Sequence, residues 1–169
     1  MNEPRGQILP GSAFGDALTR LAQAAETIVE IGTWHGLGST LCLARGLVRP
    51  TQRFWTIEAD PNVFEGARKC YKDNRIIWIC GTVTPMNDRP IIIEQLPERI
   101  DLLLIDGGDG NGLPDFMALH QRSTIIALDD TNDQCVKGQE SRRLLIEWKW
   151  KCLIDDQQNR NGWSIFQRA

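Results

Sequence analysis

The chain lacks a Tyr-x-x-x-Lys pair, since Tyr71 is its only tyrosine. That argues against a nicotinamide-dependent oxidoreductase. Cysteine is neither abundant nor patterned. The five thiols, at positions 42, 70, 80, 135 and 152, are odd in number and no two have C-x-x-C spacing. Neither a zinc site nor a disulfide framework is therefore indicated, and reduced thiols in the cytoplasm are expected. No apolar run approaches the length needed to span a bilayer. The opening Met-Asn-Glu-Pro-Arg-Gly has no apolar core of the kind a secretory leader carries. There is no excess of either charge: the net value is −3, which gives no support for a nucleic-acid partner held by overall charge. Internal repeats and low-complexity tracts are also missing.

What is present is ordinary globular material of 169 residues, 41% hydrophobic and 24% charged, enough for one domain with a real core. Residues 1–12, with Pro4, Gly6, Pro10 and Gly11, read as an irregular arm, and 13–169 as a single domain. The organising stretch runs from Thr27 to Thr40. Thr27 to Ile31 is a short β-branched run suited to a buried strand. Gly32, Gly36 and Gly38 follow as G-x-x-x-G-x-G, where glycine admits positive φ and lets a ligand approach bare backbone. Ser39 or Thr40 is placed to cap the next helix, to about Leu47. Such a turn leaves amide N–H groups and the positive end of a helix dipole at the carboxyl edge of a strand, the nucleotide site of open α/β sheets.

The remaining chain alternates strand and helix. Ser12 is a candidate cap for a helix over Ala13 to Ala25. Phe54 to Ile57 reads as a strand ending on Glu58, and Pro61 suits the first turn of a helix reaching about Asp73. Ile76 to Cys80 is a third strand, closed by Gly81-Thr82. Pro90 to Leu96 reads as a short helix, with Ile91-Ile92-Ile93 favouring strand as the competitor. Ile100 to Ile105 is an unbroken fourth strand ending on Asp106, as expected when both faces are covered. A helix around Pro114 to His120, a fifth strand from Thr124 to Leu128 and a helix from Cys135 to Trp148 follow. Trp150 to Ile154 and Trp163 to Gln167 are joined by the polar turn Asp155–Gly162, which implies an antiparallel pair. The expected fold is α/β: a Rossmann-like, doubly wound, mostly parallel sheet with an antiparallel C-terminal strand pair and helices on both faces.

The glycine spacing does not fit the dinucleotide fingerprint G-x-G-x-x-G. Glu30-x-Gly32-x-x-x-Gly36-x-Gly38 instead resembles the first motif of class I S-adenosylmethionine-dependent methyltransferases, and the resemblance extends from about Thr27 to Phe166. It implies that Glu30, Gly32, Thr33, Trp34, Gly36, Gly38 and Ser39 hold the methionine end of the cofactor. Glu58, with Ala59, would take the ribose hydroxyls from its position twenty residues past Gly38. Gly81 and Thr82 correspond to the adenine position, and Asp106 and Gly107 to a place beside cofactor and reaction. Trp34 and His35 line the pocket or pack the loop. The last strand of that fold is inserted antiparallel, an ending that a NAD-type domain would not predict.

Catechol-type O-methyltransferases in that family hold a divalent cation with an aspartate after the fourth strand and an Asp-Asn pair after the fifth. Asp106 and Asp129-Asp130 stand at those places, an oxygen set suited to Mg²⁺ or Ca²⁺. Two departures are plain: the pair is Asp-Asp, and the family's lysine base three positions on is Asp109. Asp129-Asp130 also reads as a turn before the Cys135 helix. Candidate bases for a hydroxyl acceptor are Asp106, Asp109 and His35. The chain has no large insertion to cover a substrate. A bare core takes an exposed acceptor such as a glycan end, or closes its site with the arm or with another subunit, as in a homo-oligomer. The expected activity is methyl transfer to a small molecule, sugar or glycan hydroxyl; the alternative is a cofactor-binding regulatory protein that has lost catalysis.

Overall fold

The computed structural model describes residues 6–108 and 110–169. Seven strands form one sheet: β1 (Thr27–Ile31), β2 (Arg53–Glu58), β3 (Ile76–Cys80), β4 (Ile100–Ile105), β5 (Ser123–Asp129), β6 (Lys151–Asp156) and β7 (Trp163–Gln167). Their order is β3-β2-β1-β4-β5-β7-β6, with β1 to β5 parallel and β7 antiparallel to both neighbours. The expected fold class and its antiparallel ending are therefore present. Helices α1 (Ala13–Ala24), α2 (Ser39–Arg45), α3 (Pro61–Arg68), α4 (Gly112–Leu119) and α5 (Val136–Glu147) connect the strands.

Alternation along the strands divides the core in two. Ile28, Leu102 and Leu104 pack with Phe14, Leu18 and Leu43 of α1 and α2. Val29, Ile31, Leu103 and Ile105 pack with Phe116, Leu119 and Leu145 of α4 and α5. Both faces of the central strands are thus covered, which is why β4 is apolar without alternation. At the sheet's antiparallel end, Phe14 stacks on Trp163 with centroids 4.6 Å apart.

Local chemistry sets the helix starts. The Ser12 hydroxyl accepts from the Gly15 amide at 3.1 Å, and the Asp60 carboxylate accepts from Asn62 and Val63 ahead of Pro61. The expectation that Ser39 or Thr40 caps α2 is corrected: Gly38 holds the cap position and makes no side-chain bond there. Both hydroxyls point instead at Glu30. Helix α3 stops at Arg68, short of Asp73, because the chain turns so that Tyr71 donates to the Gly36 carbonyl and packs against Trp78. Pro90 to Leu96 contains only one 3₁₀ turn, Ile93–Gln95, and Ile91 makes an isolated parallel bridge to Thr82, so each competing reading holds for part of the segment. No helix among the described residues is long and apolar enough to cross a membrane.

Candidate functional site

A cleft of about 710 Å³ opens along the carboxyl edge of β1, β2, β3, β4 and β5. That is the edge at which open α/β sheets bind ligands, and the volume suits a nucleoside-sized molecule. The floor is the turn after β1. Gly32 has φ +98°, and a Cβ there would stand 2.3 Å from the Asp106 carbonyl oxygen, so only glycine allows the β1 and β4 turns to meet. The amides of Gly32 and Thr33 both donate to the Ile57 carbonyl, fixing the turn against β2.

Of the residues expected to bind a cofactor, Gly32, Thr33, Trp34, Gly38, Ser39, Glu58, Ala59, Gly81, Thr82, Asp106 and Gly107 line this cleft. Glu30 and Gly36 do not, and neither does the candidate base His35. Glu30 lies on the same strand face as Ile28, so it points under α2 and is fully buried. Its carboxylate accepts from Ser39 Oγ at 2.6 Å, Thr40 Oγ1 at 2.8 Å and Thr56 Oγ1 at 2.7 Å. Burial pushes its pKa up to about 7 against the pull of these donors. Glu30 is a buried strut that ties the loop, α2 and β2 together. His35 meets Trp34 edge-on, and Gly36 packs against Ala67 and Tyr71. Asp109 lies outside the described residues.

Glu58 is held at the mouth of the cleft. Its Oε2 accepts from the Trp34 amide at 2.8 Å and its Oε1 from the Asp60 amide at 2.9 Å. An ionised carboxylate has about four acceptor positions, so each oxygen keeps capacity for a ligand hydroxyl. Trp34 takes φ 53° and is 56% exposed, a strained and solvent-facing aromatic on the rim. The Thr82 hydroxyl is buried and has no hydrogen-bond partner among the described residues. Such a group is costly unless a ligand or water satisfies it.

At the other end of the cleft the three expected acids come together. Asp106, Asp129 and Asp130 present ligand atoms all within 4.8 Å of one another. Two cations that the sequence reading missed are already among them. Lys137 Nζ, from the first turn of α5, stands 2.8 Å from Asp106 Oδ1 and 3.2 Å from Asp130 Oδ2. Arg160, from the β6–β7 hairpin, stands 3.0 Å from Asp129 Oδ2 and also donates to Gln7 of the arm. Burial raises Asp106 to about 7, with Lys137 pulling it back and Asp129 adding to the rise. Burial likewise raises Asp129, against Arg160. Burial opposes the charge on Lys137, but Asp106 and Asp130 outweigh it and raise its pKa, so the lysine stays an ammonium. The one local signal at Lys137 is a weak one, a cation set against the macrodipole in the first turn of a helix.

The arm contributes as well. Gly6, Gln7 and Ile8 line the cleft, and Ile8 is buried in the core. Asp115 also lines it from α4, its carboxylate accepting from Thr84 Oγ1 at 2.6 Å, and burial raises its pKa.

No protein-family model matches the chain, and no curated protein matches it in sequence. Solved structures do match in shape. Cofactor-bound Rv0187 from MTB is 22% identical, with a TM-score of 0.73 over 96% of this chain and 83% of that one. The SAH-bound Podospora anserina methyltransferase PaMTH1 is 17% identical, with a TM-score of 0.70 over 92% and 78%. An O-methyltransferase from Bacillus cereus in complex with SAH is 22% identical, with a TM-score of 0.68 over 99% and 85%. At these identities the likeness is one of fold, and that fold is the Rossmann-like methyltransferase fold.

Proposed function

We propose that the protein is an S-adenosylmethionine-dependent methyltransferase acting on a hydroxyl of a small molecule, sugar or glycan end. The observation that carries this reading is the convergence on one cleft of the Gly32–Ser39 turn, Glu58 and Thr82, at the carboxyl ends of three parallel strands. The S-adenosyl ligands named for similarly folded proteins support the same cofactor. In this reading residues 13–169 are one domain, and Gly6, Gln7 and Ile8 of the arm line its site.

The turn after β1 offers backbone groups to the amino-acid end of the cofactor. Glu58 accepts from the ribose hydroxyls with the lone pairs its two amide bonds leave free. Thr82 supplies the buried hydroxyl that lacks a partner among the described residues, beside the base. When bound, S-adenosylmethionine supplies a methyl group activated by its sulfonium charge. The protein's task is to hold the acceptor oxygen in line with that methyl and to remove its proton. Asp106 is the base: burial raises its carboxyl well above the ordinary carboxylate range, which makes it a better proton acceptor. Trp34 at the rim offers an exposed aromatic surface to the acceptor.

The catechol-type version of this chemistry places Mg²⁺ among Asp106, Asp129 and Asp130. Their oxygens suit that ion in type, but Lys137 already stands between Asp106 and Asp130, and Arg160 pairs with Asp129. The arrangement does not fit the metal, and no step is assigned to it.

Calorimetric titration with S-adenosylmethionine, S-adenosylhomocysteine and NADH tests the reading. Saturable binding of the first two but not of NADH is expected. Binding of none of them, or of NADH alone, would overturn it.

A further inference from the structure

The position between Asp106 and Asp130 is already taken. The Lys137 ammonium stands 2.8 Å and 3.2 Å from their carboxylates and is only 12% exposed. Asp130 Oδ1 accepts in addition from Asn161 Nδ2 at 2.9 Å, and Asp129 is paired with Arg160. A Mg²⁺ ion needs carboxylate oxygens at about 2.0–2.1 Å. Two cations sharing these oxygens would repel each other strongly in a partly buried site.

The backbone holds the lysine in this place. Gly138 follows it, its amide donating to the Asp130 carbonyl at 3.0 Å. A Cβ on Gly138 would fall 2.3 Å from the Asp129 carbonyl oxygen. The start of α5 is therefore pressed against the end of β5 as only glycine permits, and the side chain one residue earlier is delivered to the acids. The lysine also pairs with Asp106, thirty-one positions away, which ties α5 to the end of β4.

We propose that the Lys137 ammonium is the resident cation of this acidic trio, in the place a divalent metal would take, so that the site works without one. Lys137 lines the cleft, and among the described residues two of its three donors are engaged, which leaves the third to be assigned to the acceptor oxygen. That last role rests on the methyltransferase reading. The cation's identity does not, and it is measured without cofactor or acceptor.

The test is Mn²⁺ binding, followed by loss of the free-ion paramagnetic signal, with melting temperature read with Mg²⁺ and after chelation. Wild type, Lys137→Met and Lys137→Arg are compared. The wild type should show no saturable Mn²⁺ binding, and chelation should leave its melting temperature unchanged. Lys137→Met empties the position and should bind Mn²⁺ at least about tenfold more tightly than wild type, with a melting temperature raised by Mg²⁺. Lys137→Arg restores a cation and should behave as wild type. Tight Mn²⁺ binding by the wild type, or a chelation-induced drop in its melting temperature, would overturn the proposal. So would a folded Lys137→Met that binds no metal, because the trio would then not be a metal position. If Lys137→Met does not fold, the wild-type measurements decide alone. Failure of the wild type to bind S-adenosylmethionine would count against the methyltransferase reading and leave the metal result standing.

Discussion

The two ends of the cleft hold their carboxylates by different means. At the β1–β2 end, Glu58 on the rim and Glu30, buried beneath the turn and outside the cleft, are held by neutral donors: two backbone amides on the first, three hydroxyls on the second. At the β4–β5 end, Asp106, Asp129 and Asp130 are held by Lys137 and Arg160. Neutral donors shape an acid for uncharged polar partners such as ribose hydroxyls. Cations compensate an acid and keep a charged cluster in a partly buried place. In the proposed function, Glu58 at one end recognises the cofactor and Asp106 at the other moves a proton.

The largest effect should come from the charged end. Asp106→Ala should lower methyl transfer by about 10²- to 10⁴-fold while the fold survives, the loss typical of a missing general base. Turnover of an acceptor found by screening, with circular dichroism as the control, checks this, and near-normal turnover would remove Asp106 from the chemistry. Gly32→Ala strikes the seam between the two ends. With φ +98° and a Cβ 2.3 Å from the Asp106 carbonyl, it should cost roughly 2–4 kcal/mol of stability. Urea denaturation measures it, and a loss within error would mean that the turns can separate freely.

Glu30→Gln tests the neutral end through pH. Burial holds Glu30 at about 7 against an ordinary 4.5, so between those values the folded chain binds a proton that the unfolded chain has released. Its contribution is complete below the lower value and is lost as pH rises through the upper one. Glutamine cannot ionise. The stability of Glu30→Gln relative to wild type should therefore rise by up to roughly 3 kcal/mol between pH 4.5 and about pH 8. Denaturation at the two pH values reads this gap, and a constant gap would mean that burial beneath the turn does not hold a proton on Glu30. The smallest effect is expected from Glu58→Gln, which keeps an acceptor for one of the two amides but loses the charge. S-adenosylmethionine affinity should fall by about tenfold in calorimetry. Unchanged affinity would take Glu58 out of the ribose role.

Particular residues show where sequence reading succeeds. Thr27 to Ile31 and Ile100 to Ile105 form strands at the expected bounds, because β-branched and apolar runs carry their own signal. Gly32, Glu58, Thr82 and Asp106 reach the cleft because each sits at or just past a strand's carboxyl end, a position that the fold class alone implies. Glu30 shares their motif but not their fate. One residue's alternation puts it on the helix-covered face, and the hydroxyls of Ser39 and Thr40, which would serve as caps in isolation, are drawn to it.

Local signals therefore carried the strand pattern, the glycine turn and the three acids at strand ends, since periodicity, β-branching and backbone freedom are properties of neighbouring residues. Which acids face the cleft, and what neutralises them, was set by packing across distance. Lys137 meets Asp106 and Arg160 meets Asp129, each pair thirty-one positions apart in the chain. Only the docking of α5 on β5 and the fold-back of the β6–β7 hairpin bring those charges together, and nothing within a local window records where a helix or a hairpin will come to rest.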